Sequence, residues 1–204
     1  MTDPPPPGAP AAPHPIEAES YRLLRAAIDL SHLPPLARAV TERVIHATAD
    51  LAYAADLVLD EAALQQGLAA LRAGCLVVAD VAMVATGIAS RRVCCRLNDP
   101  AVGGVAAERG LTRSAAGMLL AAAAAGPGSV HVVGCAPTAL RALLDVDVEP
   151  ALVIGLPVGF VDAAESKQAL RSSGLPSLTN RSAKGGSAAA AAAVNALLQA
   201  LEPA

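Results

Sequence analysis

The residue best suited to acid–base chemistry is a histidine on a predicted helix. Apolar residues at helical spacing within 36–49 place His46 on a different face, together with Arg43 three residues before it. Glu42 and Asp50 stand four residues on either side of His46, within reach on a helix surface. Two carboxylates favour the imidazolium, so we expect a raised pKa for His46, which suits a proton donor near neutral pH. A solvated polar helix face is the alternative interpretation.

Several basic residues stand close to predicted helix starts. Arg113 follows Thr112 at one start, and Lys184 precedes Gly185 and Gly186 at another. The free N–H groups of a helix N-terminus attract anions. The sequence therefore predicts a small polyanionic ligand, such as one with several carboxylates, with ordinary surface charge as the alternative. Arg181 precedes the same helix start as Lys184, and Arg91, Arg92 and Arg96 flank a predicted strand.

A loop rich in glycine follows one predicted strand. Its sequence, Gly155-Leu156-Pro157-Val158-Gly159-Phe160, fits neither a regular helix nor a regular strand. Such a loop indicates either close approach of the backbone to a ligand or a tight connection between elements.

The common motifs of nucleotide, acyl-transfer and metal chemistry are missing from the sequence. There is no G-x-G-x-x-G, no P-loop, no G-x-S-x-G and no H-E-x-x-H. The four histidines are scattered, and the four cysteines form neither a disulfide framework nor a zinc pattern. We therefore predict no cofactor and no metal, and interpret the adjacent Cys94 and Cys95 as small core residues rather than reactive thiols.

The elements that must position these residues alternate between helix and short apolar strand, which predicts a single-domain α/β fold with a mainly parallel sheet and helices on both faces. Ligands of such sheets lie beyond the carboxyl ends of the strands, here the loops 79–82, 96–100, 133–137 and 155–162. Asp80 is predicted to cap a helix that ends near Thr86. We predict a disordered proline-rich tail over 1–15 and one domain over 16–204. The predicted helices are 16–30, 36–49, 61–73, 113–125, 137–144, 162–171 and 187–201, and the predicted strands are 76–79, 93–97, 129–133, 151–154 and 177–179.

Composition limits the function classes. The 204 residues are 54% hydrophobic and 16% charged, with a net charge of −3, two tyrosines, one phenylalanine and no tryptophan. Neither the charge nor the aromatic content favours nucleic-acid binding. Because the sequence has no apolar run of membrane-spanning length and no signal-peptide pattern, we expect a reduced, soluble, cytoplasmic protein.

Taken in order along the chain, a set of short strings resembles the precorrin-8X methylmutase family, with the likeness extending from Ile16 to Leu201. The ordered set is specific, especially the run PVGFV with the AAESK that follows it. The strings are Ser20 in the first helix, Arg43–Ala47 (RVIHA), Asp80–Val84 (DVAMV) with Gly87-Ile88, Leu97–Pro100 (LNDP), Thr112–Ala116 (TRSAA), Ala136–Leu140 (APTAL), Gly155–Val161 (GLPVGFV) with Ala164–Lys167 (AESK), and Lys184–Ala188 (KGGSA).

This resemblance implies an isomerase of cobalamin biosynthesis that moves a methyl group from C11 to C12 of the tetrapyrrole precorrin-8X. The product would be hydrogenobyrinic acid, the protein a homodimer, and no redox cofactor would be needed. By the same resemblance His46 is the catalytic acid/base. The substrate-binding residues it implies are Ser20, Arg43, Thr86, Gly87, Ile88, Arg113, Ser114 and Gly159.

The chain departs from the family pattern at three positions. Cys135 stands where the family usually has Asn, Ala49 replaces a usual Gly, and Ala52 replaces an acidic residue. An alanine at 49 predicts a helical backbone rather than a positive φ. Three alternatives stay open: a cobalt-precorrin-8 methylmutase of the anaerobic route, a tetrapyrrole-binding module without turnover, and a nicotinamide-dependent oxidoreductase, which rests on fold class alone.

Overall fold

Parallel strands form the centre of the structure, a computed structural model that describes residues 14–89 and 91–201. The strands are β1 (Leu57–Leu59), β2 (Val77–Ala79), β3 (Val93–Cys94), β4 (Val130–Val133), β5 (Leu152–Gly155) and β6 (Ser177–Asn180). They form one sheet in the order β1-β6-β5-β4-β2-β3, in which only the pairing of β1 with β6 is antiparallel among the described residues. The carboxyl ends of β2 to β6 therefore meet at one edge of the sheet.

Helices connect the strands and cover the sheet. They are α1 (Pro15–Ala27), α2 (Pro35–Thr48), α3 (Tyr53–Asp56), α4 (Glu61–Arg72), α5 (Ala82–Gly87), α6 (Val102–Arg109), α7 (Arg113–Ala125), α8 (Pro137–Leu144), α9 (Ala163–Ser172) and α10 (Ser187–Gln199). None of these helices has the length and apolar character needed to cross a bilayer, a finding limited to the described residues. Residues 1–13 of the predicted tail lie outside the described residues, and α1 begins at Pro15.

Two hydrophobic cores lie on opposite faces of the sheet. Successive residues of a strand point to opposite faces, so Val132 of β4 joins the core beneath α2, α4, α5 and α10, whereas Val133 joins the core with α7, α8 and α9. Buried alanines and leucines fill the first core, and Met118, Leu140 and Leu170 contribute to the second. This arrangement confirms the predicted α/β class, with a mainly parallel sheet and helices on both faces.

The segment between α2 and α4 differs most from the sequence prediction. No element is predicted there, but the structure has the short helix α3 and the edge strand β1, which antiparallel pairing to β6 holds in place. The strand predicted over 93–97 is only Val93–Cys94, because the chain turns at Arg96, whose side chain pairs with Asp99 at 2.8 Å. The first helix ends at Ala27, earlier than predicted.

The buried carboxylate of Asp80 does not cap α5 as predicted. Val81 is the N-cap residue of α5, and it makes no side-chain cap bond. The Asp80 carboxylate instead accepts hydrogen bonds from the backbone N–H groups of Gly134 at 3.1 Å and of Cys135 and Ala136 at 2.9 Å. Burial raises the pKa of Asp80 against the opposing effect of these bonds. Asp80 therefore ties the end of β2 to the start of α8, and the bond from Cys135 uses only its backbone.

The backbone at Ala49 also differs from expectation. Ala49 ends α2 in the left-handed conformation, with φ 53° and ψ 27°, and its N–H donates to the carbonyl of Ile45 at 2.7 Å. The prediction of a helical backbone at this position is therefore wrong. A left-handed residue is needed here because the chain must leave α2 and fold back into α3 within four residues.

Candidate functional site

The candidate site starts at the seam where α1 packs on α2. Glu17, Ser20 and Tyr21 recur at intervals of three and four residues, so they share one face of α1. That face meets two residues of α2 that are themselves three positions apart. Glu17 bonds to Arg43, whereas Ser20 and Tyr21 contact His46. Helical spacing on both partners thus assembles five side chains in one place.

The imidazole of His46 is held by two different contacts. Its Nδ1 lies 2.9 Å from Oγ of Ser20. Its ring stacks on that of Tyr21, with ring centroids 4.8 Å apart and planes inclined by 7°. Nε2 makes no hydrogen bond to the described residues, so this nitrogen is free to meet a ligand.

Arg43 stands beside the histidine and is half-buried. Its Nη1 donates to Oε1 of Glu17 at 2.5 Å and to the hydroxyl of Tyr21 at 3.3 Å. Burial alone would lower the pKa of the Arg43 guanidinium, but these two hydrogen bonds raise it above its ordinary value. Arg43 is therefore a fixed positive charge at the site.

The carboxylate of Glu42 does not act on His46. It is buried and accepts hydrogen bonds from Arg25 at 2.7 Å and from Arg38 at 3.0 Å. Burial would raise the pKa of Glu42, but the bonds and charges of the two arginines lower it below its ordinary value. Glu42 is thus the buried centre of a structural ion-pair cluster between α1 and α2.

Asp50 is engaged away from the histidine as well. Its carboxylate accepts hydrogen bonds from Nζ of Lys184 at 2.6 Å and from the backbone N–H of Ala52 at 3.0 Å. The Lys184 ammonium also lies 5.9 Å from the ring centroid of Tyr53. The expectation of a His46 side chain flanked by two carboxylates is therefore wrong, and Lys184 already has a partner.

A cavity of about 430 Å³ opens between α2, α5 and α10. Polar and apolar side chains line it together with small alanines of α10. They include Arg43 and His46 of α2, Met83 and Gly87 of α5, and Ser187 and Asn195 of α10. A Cβ at position 87 would lie only 2.8 Å from Cβ of Ala191, so glycine permits this close approach of α5 to α10.

Asn195 fixes the end of α5 against α10. Its Nδ2 donates to the carbonyl of Gly87 at 2.9 Å, and its Oδ1 accepts from the backbone N–H of Ala89 at 2.8 Å. One side chain therefore satisfies two backbone groups where α5 ends, and it does so from a position on the cavity wall.

The other substrate-binding candidates around the end of α5 lie next to the cavity rather than on its wall. The exposed hydroxyl of Thr86 donates within its own helix to the carbonyl of Ala82 at 3.0 Å. Ile88 is only 5% exposed and belongs to the core. Gly87, between them, is the residue of this run that reaches the cavity.

Three further candidates lie near the carboxyl edge of the sheet. Arg113 and Ser114 begin α7, and Nη2 of Arg113 donates to the carbonyl of Leu97 at 3.3 Å. Gly159 has φ 153°, and its N–H donates to the carbonyl of Ala183 at 3.2 Å. None of these three residues lines the cavity at His46 in the described part of the chain.

Sequence reasoning missed two residues of the site, Tyr21 and Asn195. The spacing of Tyr21 from Glu17 and Ser20 could have shown that all three share the face of α1 that meets α2. Asn195 is a polar residue within the alanine- and leucine-rich run of α10, which was a signal for a specific polar contact.

The site offers proton transfer and anion binding. Among the described residues, no three histidine, cysteine or acidic side chains are grouped to hold a metal ion. His131, another histidine, is buried on β4, and burial lowers its pKa to about 4, which makes it a neutral core residue. What remains at the cavity is an imidazole with a free nitrogen beside a fixed guanidinium.

Comparison with protein families and curated proteins gives consistent matches over nearly the whole chain. A family model described as precorrin-8X methylmutase matches residues 15–200. A cobalt-precorrin-8 methylmutase of Methanothermobacter thermautotrophicus is 40% identical over 189 residues, which cover 90% of this chain and 91% of the relative. A precorrin-8X methylmutase of Pseudomonas aeruginosa is 42% identical over 194 residues, with 89% and 93% covered.

Solved structures agree with the sequence matches. A precorrin-8X methyl mutase from Thermus thermophilus superposes with a TM-score of 0.83 at 34% identity, covering 92% of this chain and 98% of that one. A precorrin-8X methylmutase related protein superposes with a TM-score of 0.80 at 33% identity, covering 88% and 98%.

Proposed function

Because the chain belongs to the precorrin-8X methylmutase family, we propose that it moves the methyl group on C11 of precorrin-8X to C12, giving hydrogenobyrinic acid in cobalamin biosynthesis. The observation that carries this proposal is the His46 imidazole, which Ser20 and Tyr21 hold at a cavity with Nε2 free. The reaction is an isomerisation, so no atom is gained or lost and no redox partner is required.

In the proposed mechanism His46 is the general acid and base. Proton transfer from Nε2 to the macrocycle makes the ring electron-poor, and the methyl group then migrates with its bonding pair from C11 to the adjacent C12 on the same face. Loss of a proton from the rearranged ring returns His46 to its starting state. His46 lies in the last turn of α2, where the helix dipole is favourable to a positive charge.

The substrate is a polycarboxylate, and Arg43 is the fixed cation at the cavity. A guanidinium binds carboxylates through charge-assisted hydrogen bonds. The proposal includes Ser20, Thr86, Gly87 and Ile88 as further substrate-binding residues. It also includes Arg113, Ser114 and Gly159, which the fold places near the carboxyl edge of the sheet.

The proposal also includes a homodimer and a cytoplasmic location. Phe160 and Val161 support a subunit contact, because both apolar side chains are almost fully exposed. The cavity at His46 has a volume typical of pockets that enclose a drug-sized ligand. A tetrapyrrole with several acid arms is larger, so the cavity of one chain does not enclose it. Sedimentation equilibrium tests the dimer, and fractionation of cells that produce the protein tests the location.

The first experiment is a spectral titration with hydrogenobyrinic acid. We expect the wild-type protein to shift the visible spectrum of this product on stoichiometric binding, and His46→Ala to change or lose that shift. His32→Ala is the matched control, because His32 is an exposed histidine outside the cavity. No shift with wild type at tens of micromolar product, roughly the weak end of specific binding, contradicts the proposal.

Turnover assays separate the remaining candidates. Relatives named for cobalt-precorrin-8 match as well as those named for precorrin-8X, so activity on cobalt-loaded and metal-free substrate must be compared directly. If His46→Ala still binds product but no longer converts substrate, the alternative of a tetrapyrrole-binding module without turnover is rejected.

A further inference from the structure

We propose that Tyr21 is a positioning residue that sets the plane of the His46 imidazole and thereby the direction of Nε2 at the cavity. The inference rests on the proposed role of His46 as acid and base. It concerns a residue that the acid–base mechanism itself does not use.

The hydrogen bond to Ser20 is not enough to orient the ring. A contact of 2.9 Å between Ser20 Oγ and His46 Nδ1 fixes one atom of the imidazole. Because the geometry of one hydrogen bond is soft, small rotations about Cα–Cβ and Cβ–Cγ can still tilt the ring and displace Nε2. A second contact restricts this tilt.

The ring of Tyr21 provides this second contact. With centroids 4.8 Å apart and only 7° between the planes, the two rings are nearly parallel and stacked with a lateral offset. Tilting the imidazole would break the stack. Since Ser20 and Tyr21 are consecutive residues of α1, the helix presents the hydroxyl and the ring to His46 as one rigid unit.

Tyr21 is itself held in place. Its hydroxyl accepts a hydrogen bond from Nη1 of Arg43, and Arg43 is bonded in turn to Glu17. The guanidinium of Arg25 also lies over the Tyr21 ring, 5.6 Å from its centroid. The stacking surface is thus fixed before any ligand arrives, as a positioning role requires.

Two substitutions separate the ring from the hydroxyl. Tyr21→Phe keeps the stack and removes the contact with Arg43, whereas Tyr21→Leu keeps apolar bulk and removes the stack. Misplacing a reacting group by about 1 Å can cost on the order of 10²-fold in rate. We expect Tyr21→Leu to lower kcat at least about tenfold with KM changed less than about threefold. Tyr21→Phe should restore kcat to within about twofold of wild type.

A measurement without substrate keeps this test independent of the proposed function. In proton NMR spectra, a stacked tyrosine ring shifts the Cε1 proton of His46 upfield, and His46→Ala identifies that signal by its loss. We expect the upfield position in wild type and Tyr21→Phe, and a downfield move in Tyr21→Leu. Urea unfolding of both variants shows whether the fold is intact.

The outcomes are distinct. An unchanged His46 signal in folded Tyr21→Leu overturns the inference, as does an unchanged kcat. A loss of kcat in Tyr21→Phe equal to that in Tyr21→Leu also overturns it, since the hydroxyl rather than the stack would then matter. If wild type itself does not convert precorrin-8X or its cobalt form, the proposed function fails, while the NMR comparison still decides whether Tyr21 orients His46.

Discussion

Both contacts that hold His46 can persist through a cycle of proton transfer. A serine hydroxyl can donate to a neutral Nδ1 or accept from a protonated one, so the bond to Ser20 is compatible with either state of the ring. The stack on Tyr21 does not depend on a proton either. A general acid that must return to its starting geometry after each turnover is better held by such neighbours than by a carboxylate, which would bind the charged ring more strongly than the neutral one.

Ala49 has a left-handed backbone conformation, which glycine adopts more readily than alanine. A non-glycine residue in the left-handed region costs roughly 1–2 kcal/mol. Glycine avoids this cost, but its greater freedom in the unfolded chain offsets part of the gain in stability. We therefore expect Ala49→Gly to raise the free energy of unfolding by about 1 kcal/mol. Ala52→Gly is the control, because Ala52 has an ordinary helical φ of −63°. This variant should lose up to about 1 kcal/mol of the free energy of unfolding. Urea unfolding of wild type and the two variants measures these changes. If Ala49→Gly is less stable than wild type, the assignment of backbone strain to Ala49 is contradicted.

At the scale of elements, periodicity made most of the fold predictable. The strands β2, β4 and β5 are short, mainly apolar runs. Helices such as α4 and α7 begin after N-cap residues, Asp60 and Thr112, whose side chains accept hydrogen bonds from backbone N–H groups. The elements α3 and β1 were not predictable, because three residues of intermediate burial form a strand only through pairing with β6.

The candidate site was only partly predictable for a related reason. His46, Arg43 and Ser20 stand out by residue type and by resemblance to a family. Arg38, four residues before Glu42 on α2, is a partner that helical spacing allows. Arg25, the other partner of Glu42, was not predictable, since it comes from a different helix and sequence spacing within α2 cannot show it. Local spacing indicates which residues can meet on one helix, but packing decides which charges meet across two.

The junction of α5 with α10 depends on one amide. Asn195→Ala leaves the carbonyl of Gly87 and the N–H of Ala89 without this partner, and because water can reach both exposed groups we expect a cost of about 0.5–1.5 kcal/mol. Since Gly87 lines the cavity, we also expect weaker binding of hydrogenobyrinic acid in the spectral titration. Gln199→Ala, one turn later at an exposed position of α10, should change stability by less than about 0.5 kcal/mol. Equal effects of the two substitutions would show that Asn195 has no special role.

At the scale of the whole molecule, the loop that leads into α10 is tied to distant parts of the chain. Asp56 of α3 accepts hydrogen bonds from the backbone and hydroxyl of Ser182 and from the side chain of Asn180. The fully buried ammonium of Lys167 donates to Oδ1 of Asn180 at 2.8 Å and to the carbonyl of Lys184 at 2.5 Å. The start of α10, and with it one wall of the cavity, therefore depends on a lysine of α9 with no contact to the cavity.

The buried ammonium of Lys167 makes the stability of the molecule depend on pH on the alkaline side. Burial lowers the pKa of Lys167 to about 8 in the folded chain, well below its ordinary value. Between that pH and roughly 10.4, the ordinary pKa of lysine, the unfolded chain binds more protons than the folded one, so this group makes folding more favourable as pH rises. Each pKa unit corresponds to about 1.4 kcal/mol, which sets an upper bound of about 3 kcal/mol for the gain.

Replacing Lys167 with methionine should remove this gain. We expect the free energy of unfolding of wild type, measured relative to Lys167→Met in urea at pH 7 to 10, roughly the titration window of the group, to rise with pH. Lys184→Met is the matched control, because Lys184 is the other lysine of the chain and its ammonium is partly exposed in the pair with Asp50. The slope, rather than the absolute stability, is diagnostic, because Lys167→Met also removes the donor to Asn180 Oδ1 and leaves the carbonyl of Lys184 with only the bond from Asn180 Nδ2. A difference between wild type and Lys167→Met that stays constant with pH would mean that the ammonium is hydrated in the folded chain and that the junction beneath α10 is open to water.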